Sequence, residues 1–234
     1  MAEQSELVNK PAPRLPGPKN RTILIGRTGT GKTVAGLWHL SNQDLERPWV
    51  ILNFKNDEHI DSIENTTDVD YDFVPKKKDR GLYILRPLPG DMEGSPSLIE
   101  TYLWKIWGRE KCGIFCDETF MVGRNNKAFN ACLTQGRSKE IPMIMCTQRP
   151  SYISLFCFSE ASFIQVFDLN DFRDIDTVEG FVPIDWDKET PLKDHQSWYF
   201  EVARNLLYRF QPVPNMNEIR KVFASKLHRK WVRI

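Results

Sequence analysis

The chain of 234 residues carries almost no net charge: 32 lysines and arginines oppose 31 aspartates and glutamates, leaving a formal +1. No global basic field advertises a nucleic acid, so any contact with a polyanion has to come from a local patch. No apolar run is long enough to cross a bilayer. The start, Met-Ala-Glu-Gln-Ser-Glu-Leu-Val, lacks both the basic and the apolar region of a signal peptide. Cysteine is scarce and odd in number: Cys112, Cys116, Cys132, Cys146 and Cys157. Close C-x-x-C pairs with histidine partners are missing, which argues against a zinc site. Buried free thiols in a reducing compartment are the expected reading, not a disulfide framework. No internal repeat is visible, so a solenoid is excluded.

The length suffices for one sizeable core, and the balance of 41% hydrophobic and 27% charged residues is that of an ordinary soluble domain. Against this background one segment stands out. Gly26-Arg27-Thr28-Gly29-Thr30-Gly31-Lys32-Thr33 fits the phosphate-binding pattern G-x-x-x-x-G-K-[ST]. Thr22-Ile23-Leu24-Ile25 before it is a short apolar, β-branched run, and Val34 to Leu40 after it reads as an amphipathic helix. Strand, glycine loop and helix is the setting in which the pattern has physical meaning. The glycines let several N–H groups converge on one anion, and the helix N-terminus adds partial positive charge. Lys32 can reach the β- and γ-phosphates, and the Thr33 hydroxyl can ligate Mg2+.

Strand and helix signals alternate along most of the chain. Strands are expected at 22–26, 49–54, 82–85, 113–116, 142–146 and 162–167. Helices are expected from the glycine loop to about residue 42 and at 97–107, 126–135 and 171–178. Residues 55–80 read as a charged, exposed loop. This alternation predicts an α/β fold with a central, mostly parallel sheet flanked by helices. The end differs. Ser197–Ala203 and Leu206–Gln211 flank Arg204-Asn205, predicting a C-terminal β-hairpin with a two-residue turn, and a last helix is expected over 216–230. Residues 1–20, polar and then proline-rich, read as a flexible N-terminal arm or strap, and 21–234 as a single domain.

Further motifs follow in order. Gly113-Ile114-Phe115-Cys116-Asp117-Glu118 is a strand that ends in two acids. At the carboxyl tip of a parallel strand such side chains face the crevice where ligands bind. Asp117 would hold Mg2+ through its water shell, and Glu118 would polarise an attacking water. A GTPase would show Asp-x-x-Gly here and Asn-Lys-x-Asp elsewhere; the chain reads Asp117-Glu118-Thr119-Phe120 and Asn126-Lys127-Ala128-Phe129. Thr147-Gln148-Arg149-Pro150 follows another strand, where the Gln148 amide can sense the γ-phosphate and the attacking water. Gln135-Gly136-Arg137 closes a helix and presents Arg137 on the surface, as an arginine finger for a neighbouring subunit requires.

Gly26–Thr33, Asp117-Glu118, Gly136-Arg137 and Thr147-Gln148-Arg149-Pro150, in this order, resemble the FtsK–HerA superfamily of ATPases. Within it, the compact size is similar to the genome-packaging ATPases of tailless, membrane-containing double-stranded DNA viruses and phages. The similarity covers roughly residues 20–185. It implies a RecA-like P-loop fold of the ASCE type and Mg2+-dependent ATP hydrolysis. It also implies a homo-oligomeric ring of about five or six subunits around double-stranded DNA. In these terms Gly26 to Thr33 bind ATP, Thr33 and Asp117 hold Mg2+, Glu118 is the base and Gln148 the sensor. Arg137 or Arg149 is the finger acting in trans. The setting implied is the host cytoplasm or a virion vertex, with a portal, vertex or membrane protein of the virion as docking partner.

Candidate DNA contacts are Lys76, Lys77, Lys78 and Arg80; Arg204 and Arg209 on the hairpin; and Lys226, Arg229, Lys230 and Arg233 at the end. Trp231 among the last basic residues could instead dock on a vertex protein or membrane surface. The same nucleotide residues would serve an ATPase powering protein export or virion assembly. A scaffold gated by ATP without hydrolysis is a third reading, although it has no use for Glu118 and Gln148.

Overall fold

The computed structural model describes residues 11–227. The strands are β1 (Arg21–Ile25), β2 (Pro48–Leu52), β3 (Thr67–Val69), β4 (Gly81–Leu85), β5 (Gly113–Cys116), β6 (Met143–Thr147), β7 (Phe163–Val166), β8 (Ser197–Glu201) and β9 (Leu206–Phe210). The helices are α1 (Lys32–Ser41), α2 (Glu58–Asp61), α3 (Leu98–Arg109), α4 (Lys127–Gln135), α5 (Phe156–Ser159), α6 (Phe172–Glu179) and α7 (Met216–Leu227). Among the described residues the strands form one nine-stranded sheet in the order β3-β4-β2-β5-β6-β1-β7-β8-β9. It is parallel from β3 to β7, and β8 and β9 add an antiparallel hairpin at one edge.

The central strands are near-continuous apolar runs because helices cover both faces. All five residues of β1, of β2 and of β6 are buried. On one face, Ile99, Tyr102, Leu103 and Ile106 of α3 and Phe129, Cys132 and Leu133 of α4 pack with α5 and α6. On the other, Ala35, Leu37 and Leu40 of α1 pack with Ile60 of α2 and Ile219, Phe223 and Leu227 of α7. The helices start on caps written in the chain: Ser97 accepts from the Glu100 N–H at 3.2 Å and Asn126 from the Phe129 N–H at 2.9 Å. Gly36 lets α1 lie close to the sheet, since a Cβ there would stand 2.9 Å from Cys146 Sγ. All five cysteines are free and buried, as expected. Burial pushes the thiols of Cys112, Cys132 and Cys157 up to about 12, so they stay protonated.

Two expectations need correction. Residues 55–80 are not all loop: they hold α2 and the edge strand β3. Four residues of helix are too few to show a period, and β3 exposes Thr67 and Asp68, so neither leaves an apolar pattern. The hairpin turn is longer than two residues. Val202–Arg204 form a 3-10 turn and Asn205 follows with φ 51°, a left-handed conformation that asparagine tolerates. Arg204 pairs with Glu201 at 2.7 Å across this turn. Residues 11–20 run as a strap over the hairpin side. The Tyr199 hydroxyl donates to the Arg14 carbonyl at 2.9 Å, Tyr208 to Pro11 at 2.8 Å, and the Gln43 amide to Pro16 at 2.7 Å.

Candidate active site

The order β5-β6-β1 decides the geometry. The glycine loop leaves the carboxyl end of β1, Asp117 and Glu118 leave β5, and Gln148 leaves the strand between them. All three converge on one crevice at the carboxyl edge of the sheet. The loop is anchored on both sides: the Gly26 N–H donates to the Thr147 carbonyl at 3.2 Å and the Arg27 N–H to that of Asp168 at 3.0 Å. Gly31 has φ 92° and stands directly before α1, so its backbone takes a turn that a side chain would resist. Lys32 is buried, and its ammonium donates to the Arg27 carbonyl at 2.9 Å, across the loop that a phosphate would fill. Burial lowers its pKa, so an anion has much to offer this lysine.

Thr33 and Asp117 meet directly. The Thr33 hydroxyl donates to Asp117 Oδ1 at 3.0 Å. Asp117 is only 3% exposed, and its carboxyl is raised to about 6, chiefly by burial and then by the charge of nearby Asp57. Such a hydroxyl and carboxylate suit a hard divalent cation. Its charge would relieve the desolvated carboxylate, which the Thr33 hydroxyl and the charge of Lys55 offset only in part.

A chain of hydrogen bonds joins the loop to the second acid. The Thr28 hydroxyl donates to Gln148 Oε1. Gln148 Nε2 donates to Glu118 Oε2 at 2.7 Å, and the Gln148 backbone N–H to Glu118 Oε1 at 3.1 Å. The Lys55 ammonium closes on the same carboxylate, which is 1% exposed. Glu118 is thus held at both oxygens by groups that a phosphate and a water could displace. No local pattern in the sequence singles out Lys55, Asp57 or Asp168. They follow β2 and β7, and become candidates only once the strand order shows that those strands flank the crevice.

The two arginines part company. Arg137 is exposed at the opposite, amino edge of the sheet, where its charge bears on Arg21 at the start of β1. Its own phosphate loop lies beyond its reach. Arg149 sits on the crevice side, bound to Asp171 at 3.1 Å and Asp174 at 3.6 Å, with its guanidinium 5.1 Å from the Tyr152 ring. Among the DNA candidates, Arg80 pairs with Glu46. Arg204 donates to the Ala12 carbonyl and Tyr208, and Arg209 to the Pro191 carbonyl. Lys226 caps α1 through the carbonyls of Ser41 and Gln43. Lys76, Lys77 and Lys78 are exposed. Arg229, Lys230, Trp231 and Arg233 lie outside the described residues.

No protein-family model matches the sequence. The chain is 42% identical over 226 residues to the DNA packaging ATPase P9 of Enterobacteria phage PRD1, across 93% of this chain and 97% of that protein. Among solved structures it is similar to the genome packaging NTPase B204 of Sulfolobus turreted icosahedral virus 2 in complex with ATP-gammaS. The TM-score is 0.63, at 13% identity, over 84% of this chain and 99% of that one. ATPases 2 and 3 of EssC from Geobacillus thermodenitrificans give a TM-score of 0.60 at 12% identity, over 90% of this chain and 45% of that one. These two likenesses bear on fold, and they agree with the α/β P-loop architecture expected. Together with the sequence match they place the protein: this chain belongs to the family of the phage PRD1 DNA packaging ATPase.

Proposed function

We propose that this chain is a DNA-packaging motor that hydrolyses ATP to ADP and phosphate at the loop 26–33 and moves double-stranded DNA into a capsid. Family membership supports the activity. The observation that carries the chemistry is the unbroken line from Thr28 through Gln148 to Glu118, with Thr33 and Asp117 beside it.

The loop 26–33 receives the phosphates through amides beyond those of Gly26 and Arg27, which anchor it, and Lys32 exchanges the Arg27 carbonyl for the β- and γ-phosphate oxygens. Thr33 and Asp117 would hold Mg2+, which would offset the negative charge of the phosphate oxygens. Glu118 accepts the proton of the attacking water, which requires Lys55 to be drawn off its carboxylate. The Gln148 amide, already set between Thr28 and Glu118, turns to bridge water and γ-phosphate. Arg137 acts in trans on the site of a neighbouring subunit, because its place at the amino edge leaves it no role in its own. Arg149 remains the alternative finger on the crevice side. A homo-oligomeric ring of about five or six copies supplies that neighbour. Lys76, Lys77 and Lys78, repeated around such a ring, build a basic lining from a nearly neutral monomer. The setting is the host cytoplasm or the virion vertex, docked on a portal, vertex or membrane protein.

Phosphate release measured with and without duplex DNA tests this reading. The expected result is Mg2+-dependent release that duplex DNA accelerates. Release that DNA leaves unchanged contradicts the DNA substrate, and no release at all contradicts the enzyme.

A further inference from the structure

The two ends of a nucleotide need different surroundings, and the groups so far described serve the phosphate end. Asp117, Glu118 and Gln148 lie on the β5 and β6 side of the phosphate loop, so the terminal phosphate faces that way. Beyond β1 in the other direction the sheet continues with β7 and β8. A triphosphate seated in the loop therefore sends its nucleoside toward these two strands. A cavity of about 130 Å3 opens there. Its walls are the loop residues 27–30, Asp168 after β7, and residues 192–196 before β8.

His195 occupies the critical place in this wall. Its backbone is left-handed, φ 58°, a conformation uncommon for a residue with a side chain and one that gathers at ligand sites. Its ring lies against the phosphate loop: a Cβ built on Gly31 would stand 3.1 Å from His195 Nδ1. The segment that carries it has no regular secondary structure, yet it is pinned. The Lys193 N–H donates to Gln196 Oε1 at 3.0 Å, and Arg209 donates to the same oxygen at 3.1 Å and to the Pro191 carbonyl at 2.7 Å. On the facing wall, Arg27 fixes Asp168 at 2.6 Å. A flat, exposed imidazole, the apolar Leu192 and the carboxylate of Asp194 thus border one opening beside the phosphate loop.

We propose that this wall is the nucleoside subsite: the His195 ring stacks on the base, Leu192 covers its edge, and Asp194 accepts a hydrogen bond from a ribose hydroxyl. The ligand class is a ribonucleoside 5′-phosphate, and the proposal rests on the reading of residues 26–33 as a nucleotide loop. Stacking on an aromatic ring supplies affinity without strong choice among bases, whereas a carboxylate on the ribose separates ribose from deoxyribose.

Direct binding of Mg-ADP and Mg-pyrophosphate to the full chain tests it, since pyrophosphate lacks the nucleoside. His195→Gly removes the ring and keeps the left-handed backbone accessible. The expected result is ADP binding weakened about tenfold with pyrophosphate binding held. Equal ADP affinity in the variant and the parent overturns the subsite, as does equal weakening of both probes, which would make His195 a support for the loop. Failure of the parent chain to bind either probe overturns the nucleotide loop itself, a separate outcome. Asp194→Asn provides the second arm. The parent is expected to prefer ADP over 2′-deoxy-ADP, and the variant to lose that preference. A parent indifferent to the ribose hydroxyl overturns the role of Asp194.

Discussion

Asp117 sits where its charge is least welcome, buried at a strand end with Asp57 and Glu118 as neighbours. Its carboxyl holds a proton more tightly in the folded chain, at about 6, than at its ordinary value of 3.8. The sign follows from linkage: above pH 6 the ionised group costs stability, the cost fades as pH falls through 6, and it is gone below 3.8. Asp117→Asn, which keeps an acceptor for Thr33, should therefore stabilise the protein at neutral pH. The expected gain is on the order of 1–3 kcal/mol, a rise of several degrees in Tm. Thermal unfolding at pH 7.5 and pH 5 should show that gain shrinking at the lower pH. If Asp117 takes the proposed part in holding Mg2+, the same variant should also lose turnover. Glu118→Gln separates binding from chemistry: nucleotide affinity stays and turnover falls about 100- to 10,000-fold. Lys32→Ala, by contrast, should reduce turnover by at least about 100-fold through lost phosphate contact. Steady-state phosphate release beside equilibrium nucleotide binding distinguishes the two.

At the scale of the element, α1 is the piece on which most depends, because its first turn carries Lys32 and Thr33. Its far end is closed by a lysine from α7: Lys226 donates to the carbonyls of Ser41 and Gln43. A cation at a helix C-terminus is favourable, and Lys226→Ala should lower stability by about 0.5–1 kcal/mol in a thermal melt. A fall in DNA affinity without that loss of stability would return Lys226 to the DNA contacts. The elements around the site are legible in the sequence because they are short apolar runs between glycines, prolines and caps, as with Ile114 and Phe115 before Asp117. Elements without such contrast stay hidden. β3 is a polar edge strand, α2 is a single turn, and the residues 202–205 between β8 and β9 fold through a 3-10 turn that Arg204-Asn205 does not announce. The site divides in the same way. Gly26 to Thr33 and Asp117-Glu118 are consecutive letters at strand ends. Lys55, Asp57, Asp168 and His195 are brought to the crevice by the order of strands, which no local pattern encodes.

At the scale of the molecule, a monomer with a net charge of +1 has to grip a polyanion through a patch. Arg204, Arg209 and Lys226 are tied to carbonyls, and Arg204 also to Glu201, whereas Lys76, Lys77 and Lys78 stand exposed. Replacing all three by glutamine should weaken duplex binding at every sequence and flatten its salt dependence by about 0.9 in log–log slope per lysine. An unchanged slope, measured across a salt titration, would move the grip elsewhere. Exposed Arg137 lies on the amino edge and the phosphate loop on the carboxyl edge. Pumping is a stronger statement than binding or hydrolysis, and displacement of a third strand from a triplex-bearing duplex reads it directly. With ATP and Mg2+ the assembled protein should strip that strand, whereas Lys32→Ala should leave it in place. A wild-type protein that hydrolyses ATP on the duplex and never displaces the third strand would contradict the motor.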